Sequence, residues 1–178
     1  MAGNPANVRV WETGDLYIFD PAVAYVEATH LPADIDASMH AAWKPCGLML
    51  GDPGVELPRD IEETDLNAWQ AKRYRTKFKN GKVDGNATLL EDNDVVDDLL
   101  DAEGVPGARS RRVAMVFVDS DTGWVERRFT RVPASLFVEN DNQAEEVSGR
   151  PVRLRFYPDA NNKIFTIQKG VPATGGGS

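Results

Sequence analysis

Lys72, Arg73, Arg75, Lys77, Lys79 and Lys82, interleaved with Tyr74 and Phe78, form the stretch of this chain whose residue types and spacing best suit a binding chemistry. Cations alternating with aromatic rings can hold phosphates and stack on bases. Immediately before the run lies the opposite charge, in Asp60, Glu62, Glu63 and Asp65. Complementary blocks so close in sequence suit a contact between copies of a protein better than a grip on nucleic acid. Opposite charges across a protein interface set its register and speed the encounter.

Catalytic chemistry finds less support. The two histidines, His30 and His40, sit in no HExxH, Glu-x-x-His or Cys/His arrangement, so the spacing of a metal site is missing. No G-x-S-x-G elbow, phosphate-binding loop or G-x-G-x-x-G turn occurs, and acyl, phosphoryl and hydride transfer lack their usual residues. Paired acids such as Glu62-Glu63 and Asp97-Asp98 belong to a chain with 28 acidic side chains; solvated faces account for them. The stretch 92–103 has the composition of a divalent-ion loop but not the spaced ligands and central glycine of an EF-hand. Cys46, the sole cysteine, has no disulfide or metal-knuckle companion and is expected to be a small buried packing residue. The expectation is a protein without catalysis, metal or cofactor.

The elements that must position the charged blocks come next. With 178 residues, the chain fits one domain able to bury a core, expected over 8–169, with a flexible arm at 1–7 and a flexible Gly-rich tail at 170–178. The longest apolar run, residues 113–118, is far short of the roughly 20 residues that span a bilayer. The N-terminal residues lack the basic start and apolar stretch of a secretory signal, so folding in the cytoplasm is expected. A net charge of −8 argues against gripping phosphates but not against a wall that DNA passes without sticking.

Short β-like runs separated by Gly, Pro, Asn and Asp predict strands at 8–11, 16–19, 43–50, 69–79, 83–90, 112–118, 125–132, 152–157 and 164–168. Val152, Leu154 and Phe156 alternate with Arg153, Arg155 and Tyr157, the period of a half-buried strand. Asn80-Gly81 predicts a tight hairpin turn, with Arg73, Arg75, Lys77 and Lys79 on the face opposite Tyr74, Thr76 and Phe78. Asp121-Thr122-Gly123 predicts a second turn. Between 92 and 103, Val95, Val96, Leu99 and Leu100 recur at helical spacing behind Asp/Asn caps and ahead of Gly104, which predicts one short helix with Asp94, Asp97, Asp98 and Asp101 in water. The fold class is thus α+β, mainly β: an antiparallel β-sandwich or barrel with one helix and a long central hairpin loop.

Leu31-Pro32, Trp43-x-x-x-Gly47-Leu48, Gly54-Val55, Ala68-Trp69, the run Leu89-Leu90-Glu91-Asp92-Asn93 and the acidic helix follow one another in the order seen in the major tail proteins of siphophages. Residues 133–138 and the closing strand pair extend the likeness, so that residues 8–168 resemble that family. The Lys/Arg-heavy stretch after Trp69 departs from it. The resemblance implies the tail-tube β-sandwich, also similar to the inner tubes of contractile tails and type VI secretion. It implies copies joined head to tail into rings of six, stacked as a tube around a tape-measure protein in the virion. Tail terminator and tail-tip proteins are the implied further partners, and DNA passes through without specific binding. Candidate ring-to-ring contacts are Asp60, Glu62, Glu63, Asp65, Trp69, Arg73, Arg75, Lys77 and Lys79, with the loop 60–82 reaching the adjacent ring. Two alternatives stand beside this reading. One is a ring-forming tail protein such as a terminator; the other, from a different class, is a carbohydrate-binding sandwich with Trp11, Trp43, Trp69 and Trp124 as a stacking platform.

Overall fold

Val113, Ala114 and Met115 are consecutive in sequence and all fully buried. Successive strand residues point to opposite faces, so a strand buries three in a row only where both faces of its sheet are covered. The structure, a computed structural model, describes residues 10–52, 54–68, 71–141 and 149–173, with the backbone alone for 66–68 and 71–80. In chain order the elements are β1 (Thr13–Phe19), α1 (Glu27–His30), β2 (Trp43–Pro45), β3 (Arg59–Ala68), β4 (Ala71–Leu89), α2 (Asp94–Leu100), β5 (Arg109–Arg111), β6 (Val113–Asp119), β7 (Trp124–Thr130), β8 (Ala134–Val138), β9 (Arg150–Phe156) and β10 (Phe165–Gly170). They form two five-stranded sheets, β10-β7-β6-β1-β2 and β3-β4-β9-β8-β5. All the strand pairs are antiparallel.

One core lies between the sheets. Leu16, Ile18, Val113 and Met115 of the first sheet meet Leu89, Leu136, Val152, Leu154 and Phe156 of the second, and Val96 and Leu99 of α2 join them. Each such leucine or valine contributes about 1.5–3 kcal/mol by leaving water. The alternation expected of β9 is present, with Val152, Leu154 and Phe156 all buried. A second cluster, Phe19, Ala42, Trp43, Ala114 and Phe129, occupies the outer face of the first sheet, where Tyr25, Leu31 and Met39 from the segment between β1 and β2 pack on it. Hence the unbroken apolar run in β6: Val113 and Met115 face one core, Ala114 the other.

The chain is mainly β in two antiparallel sheets, as the residue pattern predicts, and several element boundaries differ. The helix predicted over 92–103 is present as α2, capped by Asn93, whose side chain accepts from the N–H groups of Val95 and Val96. Its aspartates are exposed, but Asp98 and Asp101 are also ion-paired, to Arg111 and Arg109 of β5. The strand predicted at 43–50 stops at Pro45, because Gly47 turns the chain with φ +81°. Residues 10–12 are not strand, and the rest of the run predicted at 8–11, like the arm 1–7 and residues 174–178 of the tail, lies outside the described residues. β10 ends at Gly170, and the Ala173 N–H donates to Asp36 Oδ1 at 2.6 Å. The 121–123 turn is as predicted, with Gly123 at φ +66° between β6 and β7.

Asn80-Gly81 is the clearest correction. The dipeptide lies inside β4, which runs unbroken through it, so the two strands predicted around it are one. The pairing steps from Asp60↔Lys82 to Glu62↔Lys79, two residues on β3 against three on β4, which is the signature of a β-bulge. Asn-Gly lies here beside a bulge in a strand, and the paired strands meet instead at Ala68↔Ala71.

Candidate functional site: the hairpin arm and the open sheet edges

β3 and β4 leave the sandwich together. β4 bonds to β9 only from Val83 to Leu89, and its earlier half bonds only to β3. Residues 59–82 are therefore a two-stranded arm rather than the loop expected at 60–82. None of the described side chains of the arm belongs to either core cluster, and Ile61 is half exposed. An isolated two-stranded hairpin is marginal in water, so this arm depends on its cross-strand pairs or on a surface to lie against.

The register places the two charged blocks opposite each other within one chain. Glu62 faces Lys79, Glu63 faces Phe78, Thr64 faces Lys77, Asp65 faces Thr76 and Leu66 faces Arg75 across the strands. Lys82 Nζ lies 3.3 Å from an Asp60 carboxylate oxygen, with both side chains largely exposed. Opposite charges directly across strands stabilise pairing, and an exposed pair contributes about 0–1 kcal/mol. The blocks do not cancel. Seven basic and four acidic side chains give residues 59–82 a charge of +3, which leaves −11 for the remainder of a chain of net −8. Of the candidate contacts, Asp60, Glu62, Glu63 and Asp65 lie on β3 and Arg73, Arg75, Lys77 and Lys79 on β4. Trp69, and the facing of the four basic side chains, lie outside the described residues.

Among the described residues, two further stretches of backbone edge are open besides those of the terminal strands β10, β2, β3 and β5. Beyond β9, the first half of β4 has a partner on one side only. In the other sheet, β1 pairs with β6 from Thr13 to Ile18 but with β2 only from Tyr17 to Phe19, so among the described residues no strand lies on the second side of residues 13–15. Open edges are templates for pairing with another chain. The β1 edge went unread in the sequence because nothing local marks which strands end up neighbours. For β3 the sequence offered complementary charge, blocks of opposite sign on either side of 68–71, but no strand pattern.

The other chemistry-bearing side chains described make the following contacts. Trp43 is 3% exposed and donates its Nε1–H to the His30 carbonyl at 2.9 Å, which removes it from the surface platform considered for the four tryptophans. His30 and His40, far from any motif in sequence, come together with ring centroids 4.5 Å apart, beside Phe19 and Tyr25. The amide of Ala42 donates to His40 Nδ1. Cys46 is fully buried and its thiol is pushed up to about 12 by burial alone. Asp159 is held below its ordinary value by the Arg131 side chain and by the N–H groups of Lys163 and Asn161, which closes the turn before β10. Arg150 is buried between Asp92 and Asp141 at 3.2 and 3.1 Å, and so ties the start of β9 to the approach to α2. Among the described residues no group of three or more His, Cys, Asp or Glu is placed to hold a metal ion, and no helix is long and apolar enough to cross a membrane. Compared with known proteins, the chain matches no family model and no curated protein.

Proposed function

We propose that this chain is the tail tube subunit of a siphophage: a non-catalytic virion protein whose copies join head to tail into rings, six by the resemblance, that stack into a hollow conduit for DNA. The observation that carries the reading is the arm at 59–82, a hairpin none of whose described side chains belongs to a core cluster and whose charge is opposite to that of the rest of the chain. A subunit that contacts its neighbours heterologously either closes into a ring or propagates as a filament. A tube needs both kinds of contact. A projecting arm supplies one of them, and open sheet edges supply surfaces for the other. The ordered likeness to siphophage major tail proteins supports the same conclusion, now with the Trp43-x-x-x-Gly47 turn formed.

The acidic balance supports passage rather than capture. DNA carries a charge about every 1.7 Å, and a basic wall would bind it and release counterions; a wall drawn from a body of charge −11 repels it. Tape-measure, terminator and tail-tip proteins are the expected partners, and the virion is the expected location.

The test is negative-stain electron microscopy of the concentrated protein, with long hollow tubes as the expected outcome. Isolated rings would favour the terminator alternative. Reversing Arg73 and Arg75 to Glu is expected to leave a folded monomer; normal tubes from that double variant would remove the arm from assembly.

A further inference from the structure

A groove of about 690 Å³ runs beside the open edge of β1. Its floor includes residues 13–15, its walls include Trp11, Phe117, Leu48 and Leu50, and its charged lining is Glu12, Asp15 and Glu91 with no basic residue. Trp11 and Phe117 stand with ring centroids 5.9 Å apart. Leu48 is 68% exposed and Leu50 41%. The wall is fixed in place: Glu91 Oε1 accepts from the Leu48 N–H at 2.9 Å, and the Leu50 N–H donates to the Thr88 carbonyl. Lys44 is exposed on β2, and Arg128, 5.5 Å over the Phe117 ring, is paired to Glu126 at 2.6 Å. An exposed apolar trough with an acidic lining, beside a strand that among the described residues is open on one side, is a site for an extended basic segment carrying apolar side chains. The segment would add to the sheet by backbone hydrogen bonds and set its side chains on the walls.

We propose that this groove receives the arm of a second copy of the chain, the earlier half of β4 lying along residues 13–15 of β1. This rests on the tube reading and names the receptor for its arm. The two surfaces match in three ways. Each has a strand open on one side, β1 at 13–15 and β4 before Val83. The groove is acidic, and β4 carries Lys72, Arg73, Arg75, Lys77 and Lys79. The groove walls are apolar, and Tyr74 and Phe78 alternate with those cations. Because donor and receptor lie on different parts of one subunit, the contact is heterologous and propagates from copy to copy.

The experiment is a charge swap in the full-length protein, read by sedimentation and electron microscopy. Glu12 and Asp15 are exposed, so Glu12→Lys with Asp15→Lys is expected to leave the circular dichroism spectrum and melting temperature unchanged while tubes disappear. Combining those changes with Arg73→Glu and Arg75→Glu restores opposite charge and is expected to restore tubes. An equimolar mixture of Thr13→Cys and Thr76→Cys proteins is expected to give a disulfide-linked dimer, with Cys46 buried and out of reach. Normal tubes from the Glu12/Asp15 variant overturn the groove as receptor. If Arg73→Glu/Arg75→Glu still blocks assembly in that case, the arm's role stands and only its docking place is wrong. A swapped variant that remains monomeric, with no crossed disulfide in the mixture, overturns the pairing as well.

Discussion

Glu91 holds a turn closed by accepting the Leu48 N–H at 2.9 Å, and the cost of that closeness falls on Gly47. Gly47 has φ +81°, and a Cβ added there would lie 2.1 Å from Glu91 Oε2. Gly47→Ala is therefore expected to cost about 1–3 kcal/mol in urea unfolding. In a Glu91→Ala background the cost should shrink to the backbone part alone, which a double-mutant cycle measures. Cys46 carries the second prediction at this scale. Its thiol is raised from 9.0 to about 12 by burial, so the unfolded chain loses its proton first. Stability is then fully present below about pH 9 and falls as pH rises toward 12, by up to about 1.4 kcal/mol per pH unit. Tyr17 and Tyr25, raised chiefly by burial, act in the same direction above their ordinary 10. Urea midpoints taken between pH 8 and 11 should decline, and decline less steeply in Cys46→Ala. The native thiol should resist a thiol reagent at pH 8 and react once denatured. An equal decline in Cys46→Ala would assign the alkaline loss to the tyrosines.

Elements whose signal is local were legible in the sequence. β9 has alternating side chains; α2 has helical spacing and an Asn93 cap; the 121–123 turn has its glycine at positive φ. Elements set by distant partners were not. β3 is built from Asp60, Glu62, Glu63 and Asp65, a composition with little preference for strand, and it is extended because β4 pairs with it. The three residues of β5 and the four of α1 are too short to carry a period. Asn80-Gly81 misled because a bulge and a two-residue turn favour the same residues. Gly81 distinguishes the two structures experimentally. Its φ is not in the left-handed range and an added Cβ would meet nothing within 4 Å. Gly81→Ala is therefore expected to be neutral or to stabilise by up to about 1 kcal/mol, through the unfolded chain. A type I′ turn needs positive φ at that glycine, so a loss of more than about 1 kcal/mol would return the reversal of the chain to 80–81.

Across the whole molecule, the proposed division between a sandwich that folds and an arm that assembles makes a prediction about cutting them apart. The candidate site was half legible, since the charged blocks stand out in sequence while the β1 groove exists only once 11–15 and 47–51 are folded together. Deleting residues 62–79 leaves Asp60 and Lys82, which already pair across the strands, joined through Ile61, Asn80 and Gly81. A three-residue connection containing Asn-Gly is a common hairpin loop, so the shortened chain keeps a closed sheet edge. No described core residue is removed, and the five basic and three acidic side chains lost take the net charge from −8 to −10. The expected product is a monomer at every concentration tried, with a melting temperature within a few degrees of the intact chain. On the proposed docking it should also add as a chain-stopper to intact protein, its acidic groove being kept for another copy's arm while it offers none. Shorter tubes in proportion to the amount added would express that asymmetry. A deleted protein that unfolds would instead make the arm part of the folding unit.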